Sequence, residues 1–239
     1  MSCIVDFGNG WTVDFEKTRL LLKVAKREHL DSLRMGKIYM KPVGFHRKNE
    51  ENFPGLGIGD ADEGVLTKIQ NAEVFMDGER IAAEIDAVVR MNESNPVFCC
   101  MSVNFQKTSD DTIEFKPDEQ MIKDFVQGDP KDYGVLVFEQ TAFLERVFKA
   151  CSDQGIQGIY RDVIYTDDAT ARIRYENGII LTAPFFKKTK LCYQNEFRIL
   201  FSNTIKDHFV LDIGDISDIS RGYSVEMLKH GIIIRAKSV

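Results

Sequence analysis

Two rhythms of apolar and polar residues alternate along this chain. Short continuous apolar runs, of the kind seen in Arg19-Leu20-Leu21-Leu22-Lys23-Val24 and Tyr133 to Phe138, predict buried strands. Val97 to Phe105 instead alternates, with Cys99, Met101 and Val103 on one face and Cys100, Ser102 and Asn104 on the other. Helical spacing is found in two places. Lys26 to Met35 sets Leu30 and Leu33 on one side, with Gly36 where a left-handed C-cap belongs. Thr141 to Cys151 turns Phe143, Leu144, Val147 and Phe148 inward, with Thr141 as the expected cap. Lys37 to Lys41 predicts a strand ended by Pro42, so the chain opens strand–helix–strand.

Further on, residues 44–64 read as a long polar connection, and residues 65–91 as a helix and a hairpin turning at Met76-Asp77-Gly78-Glu79. Gly158 to Tyr165, Glu196 to Phe201, His208 to Ile213 and Gly231 to Arg235 predict strands, and Asp167 to Arg174 a helix. Strands outnumber helices and no internal repeat or low-complexity tract is visible. The expectation is a single α+β domain over residues 1–239, with a mixed or mainly antiparallel sheet and flanking helices.

Composition narrows the class. Hydrophobic residues make up 44% and charged residues 28% of the 239, enough apolar content for a core. The chain carries 31 Lys and Arg against 37 Asp and Glu, a formal charge of -6, which argues against a general nucleic-acid coat. Eight acids against four lysines between Asn104 and Asp132 predict a solvated acidic surface excursion. Five scattered cysteines with no CxxC pair and no visible secretory leader predict reduced thiols, no structural metal and a cytoplasmic location. No apolar segment approaches the roughly 18 residues that a membrane helix needs.

The familiar chemical motifs are incomplete. There is no P-loop and no GxSxG elbow; Gly57-Ile58-Gly59-Asp60-Ala61-Asp62 begins a dinucleotide fingerprint and ends in Asp. Two clusters remain. In the loop Gly57 to Gly64, Gly59 lets backbone approach a ligand, and Asp60, Asp62 and Glu63 supply carboxylates; the competing reading is a surface loop whose Asp60 or Asp62 caps a helix. In the strand beginning at Glu196, Glu196 and Arg198 share one face while Phe197, Ile199 and Phe201 share the other. The Cα atoms of Glu196 and Arg198 lie roughly 6.5–7 Å apart on the strand rise. Lys187, Lys188 and Lys190 just upstream suit a phosphate-bearing ligand. The competing reading is an ion pair on a solvated sheet face. His46 reads as a solvated loop residue.

In their order along the chain these features resemble a bacterial and phage domain family associated with abortive-infection loci. The matching segments are Gly59-Asp60-Ala61-Asp62-Glu63-Gly64, Cys100-Met101-Ser102, Val163-Ile164-Tyr165, and Lys187-Lys188 leading to Tyr193-Gln194-Asn195-Glu196-Phe197-Arg198. They run over roughly residues 19–215. Ala61-Asp62 stands where the family has Pro-Phe, and Phe197 where Trp is commoner. The layout is similar to ADP-ribosyltransferase folds, which place a basic residue, a hydroxyl and a glutamate on three strands. That resemblance implies Lys23, then Ser102 or Tyr39, then Glu196, with NAD as the ligand. It implies catalytic roles for Glu196, Ser102 and Arg198. Ligand contacts fall to Lys23, Tyr39, Gly59, Asp60, Glu63, Lys188 and Tyr193, with Tyr193 or Phe45 stacking on nicotinamide. Lys23 replaces the family's Arg or His, and Gln194-Asn195-Glu196 stands in for a Gln-x-Glu pair. Two other functions compete: a non-enzymatic protein that offers residues 104–132 to a basic partner, and a metal-dependent nuclease built on Asp60, Asp62 and Glu63.

Overall fold

A computed structural model describes residues 4–6, 12–14, 18–52, 62, 64–76, 79–90, 92–109, 112–168, 174–176, 179–181 and 183–235. Strands β1 (Ile4–Asp6) and β2 (Thr12–Asp14) form a small ribbon and lead to β3 (Leu20–Lys26), α1 (Arg27–Arg34), β4 (Lys37–Pro42) and α2 (Val43–Asn52). Next come β5 (Val65–Met76), β6 (Glu79–Arg90), β7 (Pro96–Val103), β8 (Gln106–Ser109), β9 (Thr112–Phe115), α3 (Glu119–Phe125), β10 (Tyr133–Glu139) and α4 (Gln140–Asp153). The last part holds β11 (Gly158–Asp162), β12 (Ile164–Tyr165), β13 (Arg174–Glu176), β14 (Ile179–Leu181), β15 (Phe186–Lys187), β16 (Glu196–Phe201), β17 (Phe209–Asp212), β18 (Ser220–Ser224), α5 (Val225–Lys229) and β19 (Ile232–Arg235). The expected α+β class holds. Among the described residues the main sheet is open, has eight strands and is antiparallel throughout, in the order β11-β16-β7-β3-β10-β18 with β4 and β17 branching from β7.

The branch positions the site. One edge of β7 pairs with β16 from Val97 to Met101. The opposite edge is divided: β3 takes Met101 to Val103, and β4 takes Pro96 and Val97. The strands β3 and β4, joined by α1, therefore fork, and the middle of β7 faces the gap. The turn into β4 depends on Gly36, whose φ of +85° is open to glycine at little cost. A side chain is also excluded there by space, since a Cβ on residue 36 would fall 1.9 Å from the carbonyl oxygen of Gly214.

Both faces of the central sheet are covered, so its strands read as continuous apolar runs rather than alternations. On one face Leu21, Phe98, Phe138, Phe197, Ile199 and Phe201 pack with α1 and α4. On the other, Leu20, Leu22, Met101, Val135 and Val137 pack with Met121 and Ile122 of α3 and with Val225 and Leu228 of α5.

Several expectations need correction. Residues 44–52 of the supposed polar connection belong to α2, which begins directly after Pro42. Where a helix and a hairpin are expected, β5 and β6 are two long strands that pair antiparallel, and Asp77 and Gly78 of the expected turn lie outside the described residues. Thr141 lies exposed inside α4, which starts after Glu139. The 158–165 strand breaks at Val163 into β11 and β12, and β12 pairs in parallel with β15. The 104–132 segment is not a solvated excursion over its length. β9 pairs with β19, and Phe115, Met121, Ile122 and Asp124 are buried, because the acids are interleaved with an apolar stripe. Of its carboxylates Asp118, Glu119, Asp129 and Asp132 are exposed. No helix among the described residues is long and apolar enough to cross a membrane.

Candidate functional site

The site is seeded by the entry into β16. Thr189 to Gln194 form a 3-10 turn that ends on Asn195, at φ 41° and ψ 50°, a left-handed conformation that Asn tolerates better than most residues. Asn195 is tied to β7 in both directions: its carbonyl accepts from the Ser102 amide at 2.8 Å, and its side-chain amide donates to the Ser102 carbonyl at 2.5 Å. This fixes the next residue. Glu196 then stands opposite Met101, and Arg198 opposite Cys99. The Glu196 amide donates to the Tyr165 hydroxyl at 2.9 Å, and its carbonyl accepts from Val163 at 2.8 Å.

The Glu196/Arg198 face is buried. Glu196 is 8% exposed, Arg198 2% and Lys187 4%, which removes the solvated ion pair from consideration. Arg198 holds the carboxylate with two nitrogens, Nε to Oε1 at 2.8 Å and Nη2 to Oε2 at 3.2 Å. Lys187 Nζ adds a contact to Oε2 at 2.8 Å and donates to Gln194 Oε1 at 2.8 Å. Arg198 Nη1 also donates to the Pro184 carbonyl. Burial by itself raises the Glu196 carboxyl pKa, but Arg198 and then Lys187 overcome it and hold the group well below the usual carboxylate range.

These groups form one wall of a cavity of about 270 Å³ at the fork between β3 and β4. Leu22, Lys23 and Val24 come from β3, Phe45, His46 and Asn49 from α2, Cys99 and Met101 from β7, and Phe125 from the end of α3. Lys23 reaches into the fork, where its Nζ donates to the Cys99 carbonyl at 2.5 Å and lies 5.3 Å from the Phe98 ring centre. Three cationic side chains, Lys23, Lys187 and Arg198, thus line the cavity with one carboxylate, which Lys187 and Arg198 contact. His46 is held neutral: burial first, then the positive Arg198, pushes its pKa down to about 3. The Cys99 thiol is pushed up to about 12, by burial first and then by Glu196.

These shifts restrict the chemistry. Near neutral pH Cys99 is no thiolate nucleophile, and His46 is too weak a base for efficient general-base work. Near neutral pH Glu196 is ionised and has no proton to donate. What remains is electrostatic: a rigid carboxylate for developing positive charge, with cations left over for a phosphate-bearing ligand.

Of the sequence-predicted site residues, Glu196, Arg198 and Lys23 meet at this cavity. Gln194 joins them, although it closes the turn instead of extending the strand. Ser102 does not. One residue beyond Met101, it points through the opposite face, fully buried, and its Oγ donates to Asp162 Oδ1 at 2.6 Å, while Arg19 holds Oδ2 at 2.7 Å. Tyr39 sits outside on β4, 52% exposed. Tyr193 donates its hydroxyl to Asp124 and lines a neighbouring cavity of about 380 Å³ with Asn104, Glu114 and Asp118. Lys188 pairs with the buried Asp62 at 2.8 Å, so the lysine segment does meet the acidic loop. Gly59, Asp60 and Glu63 lie outside the described residues. His46 belongs to α2 and to the cavity wall, not to a solvated loop. Asn49 and Phe125 carry no signal in the sequence that marks them for the site. His46 and Asn49 stand three apart, a helical spacing that defines a shared face only once α2 is known.

Comparison of the chain with family models, with curated proteins and with solved structures finds no match to any of them.

Proposed function

We propose that this chain is a nucleotide-directed enzyme of ADP-ribosyltransferase-like type, with NAD as substrate and the forked cavity as its site. The observation that carries the reading is the convergence of Lys23 and Glu196, 173 residues apart, on one cavity whose carboxylate is fixed by Arg198 and Lys187. The residues fit part of such a ligand. Apolar Leu22, Phe45, Met101 and Phe125 suit a ring, and the cationic excess suits phosphate. At about 270 Å³ the space falls below the roughly 300–1,000 Å³ of pockets that enclose drug-sized molecules, so it takes one nucleoside end of the dinucleotide and leaves the rest outside.

In the reaction the bond between nicotinamide and the ribose carbon breaks, and its electron pair leaves on nicotinamide. An acceptor oxygen, from water or a macromolecular hydroxyl, bonds to that carbon and releases its proton to solvent. Glu196 stabilises the positive charge that grows on the ribose. Lys23 orients the phosphate-bearing chain. Phe45, Met101 and Phe125 keep water from the ring. No hydroxyl side chain lines the cavity among the described residues, so the amides of Asn49 and Gln194 take the orienting role that the resemblance gave to Ser102 or Tyr39.

The test is release of nicotinamide from NAD, followed by chromatography with water as acceptor and again with cell extract. Glu196→Gln should lower release by about 10²–10³, the usual loss when one electrostatic stabiliser is removed, while NAD binding persists. Release unchanged in Glu196→Gln, or no release under either condition, overturns the reading. With no release, binding of a basic protein through Asp118, Glu119, Asp129 and Asp132 becomes the stronger assignment.

A further inference from the structure

A run of rings joins the cavity to the surface beside it. Phe45 and His46 both line the cavity and meet edge to face at 5.7 Å. Phe45 is 40% exposed, so the same ring also faces outward. Lys41 Nζ lies 5.0 Å from the Phe45 centre and 5.8 Å from that of Tyr39. Tyr39 in turn stacks on His208 at 5.3 Å, with an angle of 21° between the rings. The strand period explains the arrangement. Ile38 and Met40 of β4 are buried in the core, which leaves Tyr39 and Lys41 on the other side beside β17.

Exposed rings flanking a cation are the ingredients of a surface on which nucleobases stack. We propose that Tyr39 and His208, reached from the cavity across Phe45 and Lys41, hold the outer base of a dinucleotide whose other half occupies the cavity. The inference rests on the nucleotide reading of the cavity and says where the remainder of the ligand goes. Size supports it, since a cavity of about 270 Å³ cannot enclose two nucleosides and their linking phosphates. Continuity supports it too, because Phe45 belongs to both surfaces. Charge is also consistent. Lys41 meets Asp207 at 2.6 Å, and the same carboxylate meets His208 Nδ1 at 2.8 Å, so it offsets part of the charge; an ammonium has three N–H donors, which leaves Lys41 capacity for a linking phosphate.

The experiment compares affinities of NAD and nicotinamide mononucleotide by calorimetry on the full chain and on Tyr39→Ala, His208→Ala and Tyr39→Phe. NAD should bind the unchanged protein more tightly than the mononucleotide. Tyr39→Ala and His208→Ala should each weaken NAD about ten-fold and leave the mononucleotide unchanged, whereas Tyr39→Phe, which keeps the ring, should behave like the unchanged protein. Equal affinity for the two ligands in the unchanged protein overturns the proposal. So does an equal loss for both ligands in the alanine variants, which means that Tyr39 acts on the cavity or the fold. NAD that binds but is not cleaved leaves this stacking surface intact and refutes the catalytic reading; a chain that binds neither ligand refutes both.

Discussion

On one face of β16, Phe197, Ile199 and Phe201 are packed against α1 and α4; on the other, Glu196 and Arg198 are joined by Lys187. Every residue of the strand is buried, on both faces. Their energetics differ in kind. The apolar face is favourable because surface leaves water, in proportion to area. The ionic face must first recover the desolvation of a carboxylate, a guanidinium and an ammonium, and the paired geometry only roughly repays it. A fold seeking stability alone would fill both faces with hydrocarbon. The triad on a cavity wall is the observation on which the proposed site rests.

The largest effects should come from single truncations, and they should be of similar size for opposite reasons. Phe201→Ala removes a ring at 1% exposure and should cost about 3–5 kcal/mol in urea unfolding, through lost burial and a cavity. Arg198→Met should also cost about 3–5 kcal/mol, because Glu196 loses its bidentate partner while still buried. The comparison sharpens when the whole triad is replaced. Lys187→Met with Glu196→Leu and Arg198→Met should leave stability unchanged or raise it by about 1–4 kcal/mol, and should abolish nucleotide binding. A loss beyond about 3 kcal/mol in that triple variant would mean that the ionic face is a stability device, and the argument for a site would fall with it.

Acidification separates the groups more finely. His46 has a folded pKa of about 3 against 6.5 when free, so below pH 6.5 the unfolded chain takes up a proton that the folded chain refuses. Its contribution is fully present above pH 6.5 and is lost as pH falls toward 3. Glu196, depressed below 4.5, contributes stability that is lost only as pH falls under that value. Denaturant midpoints between pH 6.5 and 4.5 should therefore decline less steeply for His46→Gln than for the unchanged protein. Parallel curves for His46→Gln and the unchanged protein would place His46 in water. The smallest effect belongs to an exposed pair of the same charges. Lys149 and Asp153 meet at 3.1 Å on α4 with side chains 79% and 63% exposed, and Lys149→Ala should shift stability by no more than about 0.5 kcal/mol.

Much of the frame is legible in the order of residues alone. The strand–helix–strand opening, the left-handed Gly36 and the inward stripe of α4 follow from local rules of spacing and φ, which act over a few residues. The division of Phe197, Ile199 and Phe201 from Glu196 and Arg198 needs only the two-residue period of a strand. Helix α2 is hidden because Val43 to Asn52 has little amphipathic contrast, and the glycine-rich run after it suggests one continuous loop. Residues 104–132 mislead in the other direction: charge hides the inward stripe of Phe115, Met121 and Ile122.

The sequence by itself determined which residues of β16 share a side, that α1 ends before Gly36, and that a carboxylate and a guanidinium stand two residues apart. Only the tertiary structure decided that this side is buried, that Lys187 closes on Glu196, and that Lys23 arrives from a strand 173 residues away while Ser102 turns to Asp162 on the opposite face. The physical reason is register. Local propensity fixes the alternation within each strand, but which residue stands opposite which depends on the pairing of strands far apart in the chain, and a shift of one residue exchanges the faces.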